Sequence, residues 1–274
     1  MYPLLLATLF LVPTTRADPL QDAIKEAVAA FEKGDKDKAL KLADEVVKAH
    51  PKQAKAFLLR GTLREAMNQH ADAVADFTES LKLAPQQAEL FNRRGSSQFK
   101  LGRIKESIAD FDRFLALQPS GFPDHWRRGI SLYYAGRYED GCKQFEGYEK
   151  VDTNDVENAV WHYLCNVRLV GRDKARAAIL KIGNDKRVPM MLVYKLFKGD
   201  VKPEEVLAAV EADQVTDEQR KQRRFYAHLY LGLYYESEGN KKAALDHLKQ
   251  AATTYRIGHY MGDVAKVHAD LLTK

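Results

Sequence analysis

Proline and glycine are scarce in this sequence, nine and sixteen among 274 residues, which excludes a disordered or fibrous chain. Long apolar runs are missing too. No segment approaches the ~20 residues a helix needs to cross a bilayer, so no membrane span is expected. Charge of one sign does not accumulate. The 43 basic and 38 acidic residues leave a formal net charge of +5, well mixed along the chain, whereas a dedicated nucleic-acid binder clusters its cations. Nucleic acid is therefore not an expected partner. The eight histidines show no His-Glu-x-x-His or similar metal spacing, and His259 and His268 form a poor ligand set. There is no glycine-rich phosphate loop, and paired acids such as Glu204 and Glu205 open a helix, where negative charge is favoured anyway. The chain reads as a non-enzyme with no cofactor and no metal. Cysteine is down to two residues, Cys142 and Cys165. In an oxidising compartment they could pair; as small buried residues they need no such role. Both readings stand at this level.

The N-terminus is a separate matter. MYPLLLATLFLVPTTRADP carries an apolar run from Leu4 to Val12, followed by Thr15-Arg16-Ala17, whose Thr15 and Ala17 suit signal peptidase. Only the α-amino group is positive ahead of the run. Cleavage is expected after Ala17, giving a secreted or periplasmic protein. No cysteine follows the run, so a lipoprotein is not expected.

Against these absences stands a regular interval. Gly61, Gly95 and Gly129 fall 34 residues apart, as do Pro51, Pro85 and Pro119. On the same ruler Gly102 matches Gly136; Ala39, Ala73, Ser107 and Gly141 coincide; and so do Phe77, Phe111 and Phe145. A glycine inside a helix costs about 1 kcal/mol against alanine, so its recurrence there needs a packing reason. Gly61, Gly95 and Gly129 are expected where two helices cross closest, facing the small residue at Ala73, Ser107 or Gly141. Gly102 and Gly136 are expected to end a helix in the left-handed conformation, and each proline to stop the next one. A 34-residue period of small, aromatic and proline positions marks a helix–turn–helix unit. It resembles the tetratricopeptide repeat. The resemblance implies an all-α fold, a superhelical solenoid of stacked helix pairs.

Four such units are expected over residues 18–155, after a signal peptide at 1–17. An irregular helical segment with a degenerate repeat follows at 156–224, and a final repeat with a capping helix at 225–274. Unit one lacks the crossing glycine, with Ala27 in its place, and in unit four Thr153 replaces the closing proline. In the irregular part NAVWHYLCNVRLVG and KARAAILKIG read as a helix pair, followed by shorter helices at MMLVYKLFKG and KPEEVLAAVEA. The segments HWRRGISLYYAGR, AVWHYL, LVYKLFKGDVKPEEVL and FYAHLYLGLYYESEGNKKAALDHLKQA are similar to the NlpI-type family of tetratricopeptide proteins. That resemblance implies an exported adaptor that organises cell-envelope hydrolases and can self-associate. The chain departs from the family in lacking a lipid-anchoring cysteine.

In tetratricopeptide proteins the first helices line a concave groove. The resemblance therefore places Lys55, Leu58, Leu59 and Thr62, then Glu89, Asn92, Arg93, Ser96 and Lys100, then Trp126, Arg127, Ile130 and Tyr134 along it. Arg93 and Arg127 stand at the same position of successive units. With Asn92 and Lys100 they are expected to hold a peptide carboxylate or an acidic segment through forked hydrogen bonds, and Trp126 and Tyr134 to supply an aromatic anchor. Tyr226 and Tyr230 are expected on the groove side of a later helix, for a partner or a second copy. Leu58 and Thr62 stand where the carboxylate-clamp subgroup needs lysine and asparagine, which argues against a chaperone-tail binder. The run RKQRR at 220–224 suits either solvent or an anionic surface. Taken together these features predict a protein or peptide adaptor, with a homodimeric scaffold or an accessory subunit of an envelope enzyme as the rival.

Overall fold

The computed structural model describes residues 18–273. The expected signal peptide lies outside the described residues. Two compact units divide the chain, the first ending at Pro119 and the second beginning at Ser120.

The first unit holds six helices: α1 (Pro19–Glu32), α2 (Lys36–Ala49), α3 (Ala54–Ala66), α4 (His70–Leu83), α5 (Ala88–Lys100) and α6 (Ile104–Leu117). Each packs on the next. The starts are chemical where the sequence supplies a cap. Asp18 accepts from the Leu20 N–H ahead of a first-position proline, and Asp35 accepts from Lys38. The stops are conformational. Gly34 and Gly102 carry φ of 85° and 72° after α1 and α5, and after α3 the same place on the ruler is held by Asn68, at φ 61°. Asparagine is the non-glycine residue that best tolerates this region, which is why α3 ends like its neighbours without a glycine.

The crossing glycines meet an aromatic ring besides the expected small residue. A Cβ on Gly61 would stand 2.8 Å from the Phe77 ring, and one on Gly95 2.8 Å from Phe111. Both rings are fully buried. An aromatic ring sixteen residues on fills the place of the missing side chain. The carbonyl of Ser107, 3.1 Å from a Cβ on Gly95, is a further neighbour. Burying each ring contributes about 1.5–3 kcal/mol, which outweighs the helix-propensity cost of the glycine. Where unit one carries Ala27, the residue sixteen on is Ala43 rather than an aromatic, and both are fully buried.

The second unit opens with one more such pair, α7 (Trp126–Tyr134) and α8 (Tyr138–Tyr148). A Cβ on Gly129 would come within 2.6 Å of Phe145, and Gly136 closes α7 at φ 74°. Then come α9 (Val156–Val170), α10 (Arg172–Ala177), α11 (Met190–Lys198), α12 (Pro203–Glu211), α13 (Asp217–Ser237), α14 (Lys241–Ala252) and α15 (Tyr260–Leu272). The pair expected after residue 156 is truncated: α10 stops at Ala177, and 178–189 carry no helix. In its stead α11 packs on both α9 and α13, burying Trp161, Tyr163, Phe197, Phe225 and Tyr230. The regular motif returns at α13–α14, where Gly232 faces Leu248 and Gly239 adopts φ 83°. Among the described residues there is no strand, and no helix is long and apolar enough to cross a membrane.

Candidate partner-binding site

A buried polar ladder, which shares the crossing motif's sixteen-residue offset, went unread in the sequence. Asp76, 2% exposed, binds Arg60 at 2.7 Å and Arg64 at 2.7 Å. Thirty-four residues on, Asp110 binds Arg94 at 2.7 Å through a two-point fork. Each arginine also reaches back to the preceding helix pair, Arg60 to Asp44 at 2.9 Å and Arg94 to the Thr78 hydroxyl at 3.0 Å. In the second unit Arg128 and Gln144 occupy the same places, joined at 3.1 Å, while Gln144 donates to the Phe122 carbonyl. The signal was available: arginine at 60, 94 and 128 repeats with the 34-residue period.

Arg93 has also been drawn inward, contrary to expectation. It is 8% exposed, its Nη1 donates to Thr62 Oγ1 at 2.8 Å, its Nε and Nη2 donate to Glu65, and its guanidinium lies 5.0 Å over the Phe77 ring. A residue expected to hold a ligand thus ties α5 to α3. Asn92 donates to Glu89 at 3.1 Å on the same helix, and Lys100 stands half-buried in its last turn.

Arg127 belongs to the second unit, its guanidinium 5.2 Å over Trp126 and 5.6 Å over Tyr260. Tyr134 hydrogen-bonds His268 at 2.8 Å, and burial holds its hydroxyl well above the usual tyrosine range. Tyr226 and Tyr230 are not on an open face. Both are buried, stacked at 6.5 Å, with Tyr230 donating to Glu157 of α9 at 2.5 Å and the Arg187 guanidinium 5.7 Å over the Tyr226 ring. The RKQRR run lies within α13, and its arginines are paired locally: Arg220 and Arg224 share Glu211, and Arg223 binds Asp213. Cys142 and Cys165 are free, buried thiols. Their mutual hydrogen bond lowers Cys142 and, with burial, pushes Cys165 up. No group of three His, Cys, Asp or Glu able to hold a metal occurs among the described residues.

The second unit also contains a cavity of about 200 Å³. Trp126, Ile130, Phe145, Trp161 and Met261 form its apolar wall; Asp155, Glu157, Asn158 and His259 form its polar one. Asp155 is the N-cap of α9, and its side chain accepts from the Glu157 N–H. Both carboxylates depend on Arg187, which reaches Asp155 at 2.7 Å and Glu157 at 2.6 Å and is shared with Asp185. Burial still wins: Asp155 is raised, and Glu157 is pushed up to about 7. One guanidinium does not fully offset three carboxylates. Of the expected groove residues, Trp126 and Ile130 line this cavity; Asp155, the last residue of unit four, was not foreseen, nor were Glu157, Asn158 and Trp161, which come from the irregular segment.

A tetratricopeptide-repeat profile matches residues 24–88 and again 58–122. Over residues 24–122 the chain is similar to tetratricopeptide repeats. Solved structures extend the likeness along the chain. A tetratricopeptide repeat protein from Parabacteroides merdae is 14% identical with a TM-score of 0.58, covering 93% of this chain and 99% of its own. MamA is 18% identical at 0.55, over 72% and 98%. YrrB, a tetratricopeptide protein described as having an unusual peptide-binding site, is 17% identical at 0.53, over 71% and 98%. At such identities the likeness concerns the fold. No curated protein matches the chain.

Proposed function

We propose that this chain is a non-enzymatic adaptor that binds a protein or peptide partner and works in a secreted or periplasmic space. The observation that carries the reading is the run of tetratricopeptide helix pairs at 24–122. Helices locked by buried rings and ion pairs present a surface already in its binding shape, so little ordering cost is added when a partner docks. Export rests on the Leu4–Val12 run and the Ala17 cleavage motif. The likeness to the NlpI-type family favours partners among cell-envelope hydrolases. Arg93 is committed to Glu65 and Thr62, so an acidic segment would have to rely on Arg127, whereas the carboxylates beside Trp126 favour a partner of the opposite charge.

The test joins two measurements on the native protein. N-terminal sequencing should read from Asp18. Affinity capture with residues 18–274 from the extracytoplasmic fraction should retain a defined partner that a Trp126→Ala variant releases. A native chain that still begins at Met1 removes export, and a purified sample that turns over substrate alone removes the adaptor.

A further inference from the structure

We propose that the cavity of the second unit receives an arginine side chain presented by a partner peptide. This rests on the adaptor reading and names the chemistry of what docks there. Size comes first. At about 200 Å³ the cavity is smaller than the roughly 300–1,000 Å³ of small-molecule sites, and it suits a single side chain. Its walls include two indoles, Trp126 and Trp161, the best aromatic faces for a cation.

Charge points the same way. Asp155, Glu157 and Asp185 share the Arg187 guanidinium, and two of these three carboxylates border the cavity. A second cation entering beside Asp155 and Glu157 would supply the charge this cluster lacks. Two of the residues that line the cavity, Asn158 and Trp161, each keep a buried polar atom with no hydrogen-bond partner, Oδ1 and Nε1, one turn apart on α9. Arginine fits better than lysine, since a planar guanidinium can stack on an indole while donating in a fork to a carboxylate. An acidic side chain would meet like charge.

The chain has two tryptophans and both line this cavity, so indole signals report on it directly. The experiment titrates the protein with N-acetyl-arginine N-methylamide, following tryptophan fluorescence and the two indole N–H resonances. Lysine and glutamate analogues and free arginine serve as comparisons. Both resonances should shift saturably with the arginine probe, several-fold more weakly with lysine, and not at all with glutamate. Asp155→Asn keeps a good helix cap and Glu157→Gln keeps an oxygen for Tyr230; together they should weaken binding at least tenfold. Should the double variant fail to fold, binding by the unaltered protein must weaken as salt rises, because the attraction is between charges. Unmoved indoles, an equal response to glutamate, or binding indifferent to salt overturns the inference. Lysine binding as tightly as arginine overturns the assignment to arginine, and tighter binding of free arginine overturns the peptide source. A chain that captures its partner yet ignores the probe keeps the adaptor reading and loses this one. A chain that binds the probe but captures nothing does the reverse.

Discussion

The two units use one crossing motif for different ends. In the first, a buried carboxylate and its arginine recur with the repeat: Asp76 with Arg60, then Asp110 with Arg94, each arginine bridging back to the helix pair before it. In the second, the ladder is reduced to the amide Gln144 facing Arg128, and the repeat gives way to contacts made once, such as Tyr230 with Glu157 and Tyr134 with His268. Periodic contacts make a regular scaffold, because the same residues answer the same packing problem at each step. A cavity with two tryptophans and an uneven charge balance needs residues that do not repeat. The irregular segment after residue 155 supplies Glu157, Asn158 and Trp161.

The contrast can be broken most forcefully at the ladder. Asp76 answers two guanidiniums, Arg60 and Arg64, whereas Asp110 is bonded to Arg94, with Gln98 standing where a second arginine would be. Asp76→Ala should cost about 3 kcal/mol, because it strands half-buried charges, and Asp110→Ala about 2 kcal/mol. Urea unfolding followed by circular dichroism measures both. A larger loss at Asp110 would mean that the number of arginines does not set the ladder's strength.

The second unit should be the more acid-sensitive. Burial, with help from the Arg127 charge, depresses His125 to about 3. Its neutral form is the folded one, so this contribution is fully present above about pH 6.5 and falls away as pH drops toward 3. At about 1.4 kcal/mol per pH unit, up to roughly 2 kcal/mol is lost by pH 5. His125→Asn keeps an acceptor for the Arg128 N–H and does not titrate, so its stability should decline less steeply with acid. His228, lowered to about 4 by burial and by His247, leaves a residual slope. Tryptophan fluorescence follows this unit selectively, since Trp126 and Trp161 both lie in it. An unchanged slope in the variant would remove His125 from the account.

The smallest effect sharpens the comparison within the repeats. Asn68 occupies a left-handed position that glycine holds at residues 34, 102 and 136. Asn68→Gly should raise stability by about 0.5 kcal/mol, and Gly102→Asn should lower it by a similar amount. Thermal unfolding of the two variants should show shifts of opposite sign.

Much of the scaffold was legible in the chain. The 34-residue spacing marked which helices pair, and Gly102 and Gly136 were read as left-handed stops, as found. That the Phe111 ring shares the space opposite Gly95 with Ser107 was not legible, because spacing alone does not say which of two residues on the facing helix comes nearest. The site was read less well. Arg93 carries the right charge at a groove position, but position says nothing of Glu65, which reaches it across 28 residues. Tyr226 and Tyr230 share a helical face with no mark of which helices cover it. Trp126, expected as an aromatic anchor for a partner, lines the cavity of the second unit.

The linear order of residues was enough to dictate a helical repeat, its period and its stops, because those depend on local backbone preference and on residues at fixed offsets. Which polar groups are spent inside and which remain for a ligand was settled by folding alone. Asp155, Glu157 and Asp185 become one cluster around Arg187 through three-dimensional proximity, and the raised proton affinity of Asp155 and Glu157 arises from burial, a property no single position along the chain possesses.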